Sequence, residues 1–178
     1  MDYPIIFWKC RGAESEDFLE VLLDLLHRHR LYILVLAETK TSSRRENTFF
    51  DSLAVAEASG FAGGSWTFWR SNRVQNRVAA INYQSMTLLI MKKEQDGWVF
   101  TPIYASLNAA NRDQLWSYVS RLGQCIKHPW LLLGDTNQTS SKDKQGGRAV
   151  FWRRTQTLWQ VLVDCVFVDM GFSGSTYT

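Results

Sequence analysis

Long apolar runs and a strong excess of charge are both missing from this chain. No stretch approaches the ~20 residues a helix needs to cross a bilayer, so no membrane span is expected. The net charge is +3, from 20 basic and 17 acidic residues. That balance permits a polyanionic partner without demanding one. Cysteine is scarce. Cys10, Cys125 and Cys165 contain no CxxC pair, and three thiols cannot all pair within one chain. A reducing intracellular compartment fits this usage. The opening MDYPIIFWK has no basic start followed by a long apolar core, so no signal peptide is read. The expected protein is soluble, nuclear or cytoplasmic, with no oligomer indicated. Histidine is also sparse. His27 and His29, two apart on a predicted helix, point to different faces and make a poor metal pair.

What is present suits a folded domain. The chain has 178 residues, enough for one domain spanning 1–178, and 46% of them are hydrophobic, enough for a real core. Eight Trp and six Tyr are many for this length, and surface rings of that kind can stack on bases.

The apolar pattern alternates strands and helices. A strand is predicted over 4–8, then a helix opened by Ser15 or Glu16 and running to about His29, with Phe18, Leu22, Leu25 and Leu26 on one stripe and Val21 at its edge. The unbroken apolar run 31–37 reads as a strand covered on both faces. A helix is predicted over 48–58, stopped by Gly60. Strands follow over 65–70, 77–83, 87–92 and 98–103, with a tight hairpin turn at Gln95-Asp96-Gly97. A helix beginning at Asn111 or Arg112 carries Leu115, Tyr118, Val119 and Leu122 on one face. A strand over 130–133, a polar loop over 137–148 and a helix over 151–163 complete the pattern. Clustered central hairpins predict mixed sheets with helices outside, rather than a purely parallel array.

Polar groups collect where these strands end. Lys9-Cys10-Arg11-Gly12 follows the first strand, Glu38-Thr39-Lys40 the second, and Gly134-Asp135-Thr136-Asn137 the strand WLLL. Tyr104 closes another, ahead of Ser106 and Asn108. Rigid strands aim such side chains, so sites gather there. Oxygen ligands suit a hard cation such as Mg²⁺, which takes one or two carboxylates and keeps water. Glu38 is a candidate ligand, Asp135 a candidate to orient a water nucleophile, and Asn137 a candidate to hold a phosphate or the neighbouring carboxylate. Gly-Asp-x-Asn after a strand is also an ordinary turn, because Asp and Asn hydrogen-bond their own backbone. Ser141-Lys142-Asp143-Lys144 matches SxxK, but it sits in a polar loop without the companions of a serine acylase. Arg148, Arg153 and Arg154, with Lys142 and Lys144, are candidates to track a phosphate backbone, against the simpler reading of a solvated face.

The joint order of FWKCRGA, LYILVLAETKTS, GFAGGSWTFWRS, WVFTPIYAS, RDQLW and WLLLGDTNQTSSKDKQGGR resembles the endonuclease/exonuclease/phosphatase superfamily, in its plant LINE-type (non-LTR) retroelement branch. The resemblance runs from Ile5 to Tyr177. It implies a four-layer α/β/β/α sandwich with two mixed sheets, and Mg²⁺- or Mn²⁺-dependent phosphodiester hydrolysis with DNA as substrate. On it, Glu38 matches the metal-binding Glu, Tyr104 the phosphate-supporting Tyr, Asp135 the Asp that handles the attacking water, and Asn137 the Asn that holds the transition state. Asn108 stands near a further phosphate-contacting Asn. The chemistry needs such a set because negative charge builds on the phosphoryl and leaving oxygens.

Two departures stand out. The family pattern WNCRG is here Trp8-Lys9-Cys10-Arg11-Gly12, which replaces an Asn beside the metal with a cation. At ~5 Å and an effective dielectric of ~20, a monocation repels a divalent ion by roughly 7 kcal/mol before screening. Lys9 is therefore expected to turn away, or to pair with Glu38 in the metal's place, and metal binding is expected to be weak. The family's later RLDR-like strand and terminal Ser-Asp-His motif do not appear, so the domain is read as incomplete at its C-terminus, lacking its last strands. The expected function is a DNA endonuclease-like phosphodiesterase, weak or inactive. The alternative is a non-catalytic nucleic-acid-binding or interaction remnant of a retroelement.

Overall fold

The structure, a computed structural model, describes residues 4–14, 16–41, 49–59, 62–92, 95–137 and 152–171. The chain divides into two compact units. The first comprises Met1–Tyr104 and His128–Asp135, the second Ala105–Lys127 and Thr136–Thr178.

Among the described residues, the first unit holds eight strands in two mixed sheets of four. In one sheet the order is β1 (Ile5–Lys9), β2 (Ile33–Ala37), β4 (Ala62–Trp69), β3 (Ser52–Ser59). Here β1 and β2 are parallel, and the β2–β4 and β4–β3 pairs are antiparallel. The other sheet runs β5 (Gln75–Asn82), β6 (Ser85–Lys92), β7 (Gln95–Tyr104), β8 (Trp130–Asp135). It is antiparallel except for the parallel β7–β8 pair.

Strand alternation sorts the apolar residues into two cores. The helix α1 (Glu16–Arg28) brings Phe18, Leu22 and Leu26 against Leu34, Leu36, Trp66 and Phe68 on the outer face of the first sheet. The opposite parity of the same strands, Ile33, Val35, Ala54 and Ala56, packs with Met86, Leu88, Ile90 and Phe100 between the two sheets. Every residue of β2 is buried, as the unbroken run predicted, because each face meets its own apolar layer.

Two expectations are corrected. Residues 52–59 form β3 rather than part of a helix. The alanines suggested helix, but Ala54 and Ala56 face the inter-sheet core while Leu53 and Val55 lie on the α1 side, a period of two. Pairing with β4 overrides helix propensity here. The Gln95-Asp96-Gly97 hairpin turn is also displaced. Lys92 pairs with Gln95, so the connection falls at 93–94, outside the described residues. Gly97 instead lies within β7, where an added Cβ would come 2.4 Å from the Ile90 carbonyl oxygen. The glycine serves close backbone approach, not a turn.

The second unit contains α2 (Ala109–Cys125) and α3 (Trp152–Asp164), packed against each other. Asn108 caps α2 by accepting a hydrogen bond from the Asn111 amide, so the helix starts two residues before the earlier of its expected starts. Of its expected face Leu115 and Val119 are buried and Tyr118 and Leu122 half-buried, and Arg112 and Trp116 are buried beside them. Among the described residues, no helix is long and apolar enough to cross a membrane.

Candidate phosphodiesterase-type site

The same alternation that builds the inter-sheet core sets up a polar cluster at its end. Ile5 and Phe7 of β1 line that core, so Lys9, two residues on, falls on the same side. Leu131 and Leu133 of β8 do likewise, and Asp135 continues their row. On β7, Trp98 and Phe100 are followed at the same parity by Tyr104. Tyr104 and Asp135 form the last matched pair of the parallel β7–β8 ladder, and Lys9 and Ala37 the last of β1–β2. The apolar row thus ends in charge at the carboxyl ends of both parallel pairs.

Glu38 reaches the cluster differently. Continued strand alternation would send it toward α1 with Leu34 and Leu36. A left-handed backbone, with φ at 59°, breaks the alternation. Arg11 (φ 58°) and Lys40 (φ 56°) are also left-handed. Such conformations cost non-glycine residues roughly 1–2 kcal/mol each and persist where surroundings hold them. Here the holding contacts are backbone hydrogen bonds. The Cys10 amide donates to the Ala37 carbonyl and the Ala13 amide to the Thr39 carbonyl, while the Thr39 and Lys40 amides donate to the Gly64 and Gly63 carbonyls.

Lys9 is the centre of the charge pattern. Its Nζ lies 2.7 Å from Asp135 Oδ2 and 3.7 Å from Glu38 Oε2. It also stands 5.4 Å from the Tyr104 ring centroid. Lys40 Nζ holds the other Glu38 oxygen at 3.0 Å, and the Tyr104 hydroxyl donates to the same carboxylate. Of the two expectations for Lys9, turning away is corrected, while the pairing with Glu38 is present at 3.7 Å; the shorter contact, at 2.7 Å, is with Asp135, a partner not expected for it. The inter-sheet parity shared by Lys9 and Asp135 explains this choice. Lys40 was not singled out as a site residue. The two-residue spacing Glu38-Thr39-Lys40 carried no signal that the backbone would turn both ends onto one carboxylate.

The pKa directions follow these contacts. Burial works against charge on Lys9, but the hydrogen bond and charge of Asp135, with Tyr104 and Glu38, outweigh it and raise the pKa above the ordinary lysine value. Burial likewise opposes charge on Glu38, and Lys40, then Lys9 and the Tyr104 hydrogen bond, outweigh it and lower its pKa. Tyr104 is pushed up, by burial first and then by the charge of Glu38, so its hydroxyl stays a donor at neutral pH.

Gly134 has a separate role. Its φ is +150°, and a Cβ there would lie 1.9 Å from the Ile103 carbonyl oxygen of the paired strand. Only glycine lets β8 run this close to β7 immediately before Asp135. Trp130 Nε1 ties the strand's other end to Thr101 Oγ1 at 2.9 Å.

Asn137 belongs to the second unit, has φ 46°, and donates from Nδ2 to the Ala105 carbonyl at 2.6 Å. Asn108, in the same unit, is the α2 cap. Arg148, Lys142 and Lys144 lie outside the described residues, as do the side chains of Arg153 and Arg154.

The implied Mg²⁺ or Mn²⁺ can be tested against these donors. Among the described residues, no group of three or more His, Cys, Asp or Glu side chains converges. The two carboxylates that do approach are matched by two lysine ammoniums. Magnesium demands near-octahedral oxygen at about 2.0–2.1 Å and gains its affinity from unneutralised carboxylates. The residues as arranged do not fit a divalent ion.

No protein-family model matches the chain, and no curated protein matches it by sequence. Solved structures do match, and they define the class of fold. The chain is similar to an AP endonuclease from Leishmania major, with a TM-score of 0.71 at 12% identity over 92% of this chain. It spans 66% of that chain, just under two thirds of its length. It is also similar to the endonuclease domain of a telomere-specific non-LTR retrotransposon, with a TM-score of 0.60, 10% identity, and 92% and 71% of the two chains covered. A third neighbour is a 3′ phosphatase from Neisseria bound to product DNA hairpin, with a TM-score of 0.60, 15% identity, and 90% and 70% covered. Likeness at this identity shows the fold, the α/β architecture with two mixed sheets that AP endonucleases share.

Proposed function

We propose that this chain is a DNA-directed domain of the endonuclease/exonuclease/phosphatase type whose hydrolytic step is impaired at its own centre. The observation that carries the reading is the 2.7 Å contact between Lys9 Nζ and Asp135 Oδ2, at the paired ends of two parallel strand ladders. The strand-end placement of Glu38, Tyr104 and Asp135 supports a phosphodiester-directed site. In this reading Asp135 is the group that would orient a water and Tyr104 would support the phosphoryl group; Asn137, Asn108 and Arg148 are proposed, each by itself, as phosphate- or backbone-contacting residues. The ammonium on Asp135 is the source of impairment. A carboxylate oxygen that accepts a short charge-assisted hydrogen bond has one acceptor position fewer to offer a water.

Two of the neighbours are endonucleases and the third is a 3′ phosphatase bound to product DNA, which supports DNA as the substrate class. The motif order and the retrotransposon neighbour support a retroelement origin, in which the role of such a domain would be to nick target DNA. The same Lys9 contact favours a second reading, a module that binds nucleic acid without cutting it. A supercoiled-plasmid nicking assay with Mg²⁺ or EDTA, run beside a salt-dependent DNA-binding titration, tests both. Binding that weakens with salt, with no nicking in either condition, is expected. Robust nicking abolished by EDTA refutes the impaired reading, and loss of DNA binding at all salt concentrations refutes both.

A further inference from the structure

We propose that Lys9 is a tethered cation of this site: its ammonium holds Glu38 and Asp135 together in place of a free ion and thereby excludes divalent metals. The distances suit an ammonium and not a small metal. One nitrogen spans 2.7 Å to Asp135 Oδ2 and 3.7 Å to Glu38 Oε2, the first a charge-assisted N–H···O contact and the second a looser ion pair. A Mg²⁺ or Mn²⁺ ion binding the same oxygens would have to draw them to about 2.0–2.2 Å, expel Lys9 from between them, and tolerate its charge nearby.

The exclusion is built into the strand register. Lys9 lies on the β1 row that lines the inter-sheet core, and its last ladder partner is Ala37, directly before Glu38. The side chain is about one third exposed, while the Glu38 side chain is 17% exposed, so solvent offers Glu38 little alternative partnering. Lys40 is not equivalent. Among the described residues its ion pair is with Glu38, on the other oxygen, and it is the more exposed of the two lysines. Removing Lys40 leaves Lys9 in place on both carboxylates. Removing Lys9 leaves two carboxylates with one ammonium between them, a net negative site aimed at the end of the inter-sheet core.

This inference rests on the proposed function only for its consequence in DNA chemistry; the ion competition stands on the geometry of the unit itself. The test is Mn²⁺ binding by the full chain, read by isothermal titration calorimetry and by the loss of the free-ion electron paramagnetic resonance signal. Wild type is expected to bind weakly. Lys9→Met is expected to gain roughly a hundredfold or more in affinity, as removal of a nearby monocation dictates. Lys9→Arg and Lys40→Met are expected to stay near wild type, within about tenfold, as charge-retaining or surface changes. Thermal melts by circular dichroism establish that each variant is folded, and Lys9→Gln replaces Lys9→Met if the latter is not.

Wild-type binding as tight as that of the neutral Lys9 variants overturns the inference. So does an equal gain in Lys40→Met, or no gain in the neutral Lys9 variants. Lys9→Met that binds Mn²⁺ yet leaves plasmid DNA intact keeps the ion inference and counts against the phosphodiesterase reading. Lys9→Met without added Mn²⁺ affinity overturns the ion inference whatever happens to DNA.

Discussion

Replacing Gly134 with alanine puts a methyl group 1.9 Å from the Ile103 carbonyl oxygen, 2.9 Å from its carbon and 3.0 Å from the Ile103 nitrogen. All three atoms are backbone in a paired strand, so no side chain can rotate away. Ordinary contact between such atoms is about 3.5 Å, and restoring it means opening the β7–β8 ladder by roughly 1.5 Å at that rung. Opening of that size loses one or two backbone hydrogen bonds, at about 1 kcal/mol each or more where the groups stay buried. The φ of +150° adds strain of order 1–2 kcal/mol for any side chain. The expected loss is therefore about 3–5 kcal/mol, a large share of the roughly 5–15 kcal/mol available to a typical domain. Urea unfolding followed by tryptophan fluorescence measures it, with Trp98 and Trp130 reporting from the two strands concerned. Gly63→Ala is the control. Gly63 has φ +78°, and a Cβ there would meet nothing within 4 Å, so only the conformational cost of about 1–2 kcal/mol is expected. A Gly134→Ala loss below about 1 kcal/mol, or one equal to that of Gly63→Ala, refutes the close-approach reasoning.

Stability should be flat through neutral pH and fall at both extremes. Glu38 has a lowered folded pKa, so its contribution is present above its unfolded value near 4.5 and is lost as pH falls through the lower folded value. Lys9 has a raised folded pKa, so its contribution is full below the unfolded value of 10.5 and is lost as pH rises through the folded value. Urea midpoints measured across pH check this, and Glu38→Gln should flatten the acid limb while leaving the alkaline fall in place. Asn108→Ala should cost about 0.5–2 kcal/mol through loss of the α2 cap, seen in urea unfolding. If DNA affinity falls as well, while Asn108→Asp keeps the stability but loses the affinity, Asn108 contacts phosphate in addition to capping.

Much of the layout was legible because it depends on local pattern. The fully apolar run ending at Ala37 announced a strand with two covered faces. WLLLGD announced a strand delivering a carboxylate, and it does. The helix stripe of Phe18, Leu22 and Leu26 packs as its spacing implies. Residues 52–59 were not legible as a strand, because alanine favours helix in isolation and only the β4 ladder makes an alternating Leu-Ala-Val-Ala row profitable. Gly97 misled for a similar reason. Asp-Gly usually marks a turn, and nothing local shows that the Ile90 carbonyl oxygen will pass 2.4 Å from where a Cβ on Gly97 would sit.

By itself, the sequence determined which side chains stand at strand ends and that a lysine occupies a position where the resembling family has an amide. These are properties of one segment at a time, set by residue order and a two-residue period. Only the tertiary structure decided that Lys9 would make its shorter contact with Asp135, 126 residues away, and its longer one with Glu38. That choice depends on two parallel ladders ending level with each other and on both residues sharing the inter-sheet face. It depends also on the left-handed turn at Glu38, which brings that carboxylate to the same cluster from the wrong parity. Ion pairing is a matter of distance and burial across the chain, and neither is written in the spacing of the motifs that supply the charges.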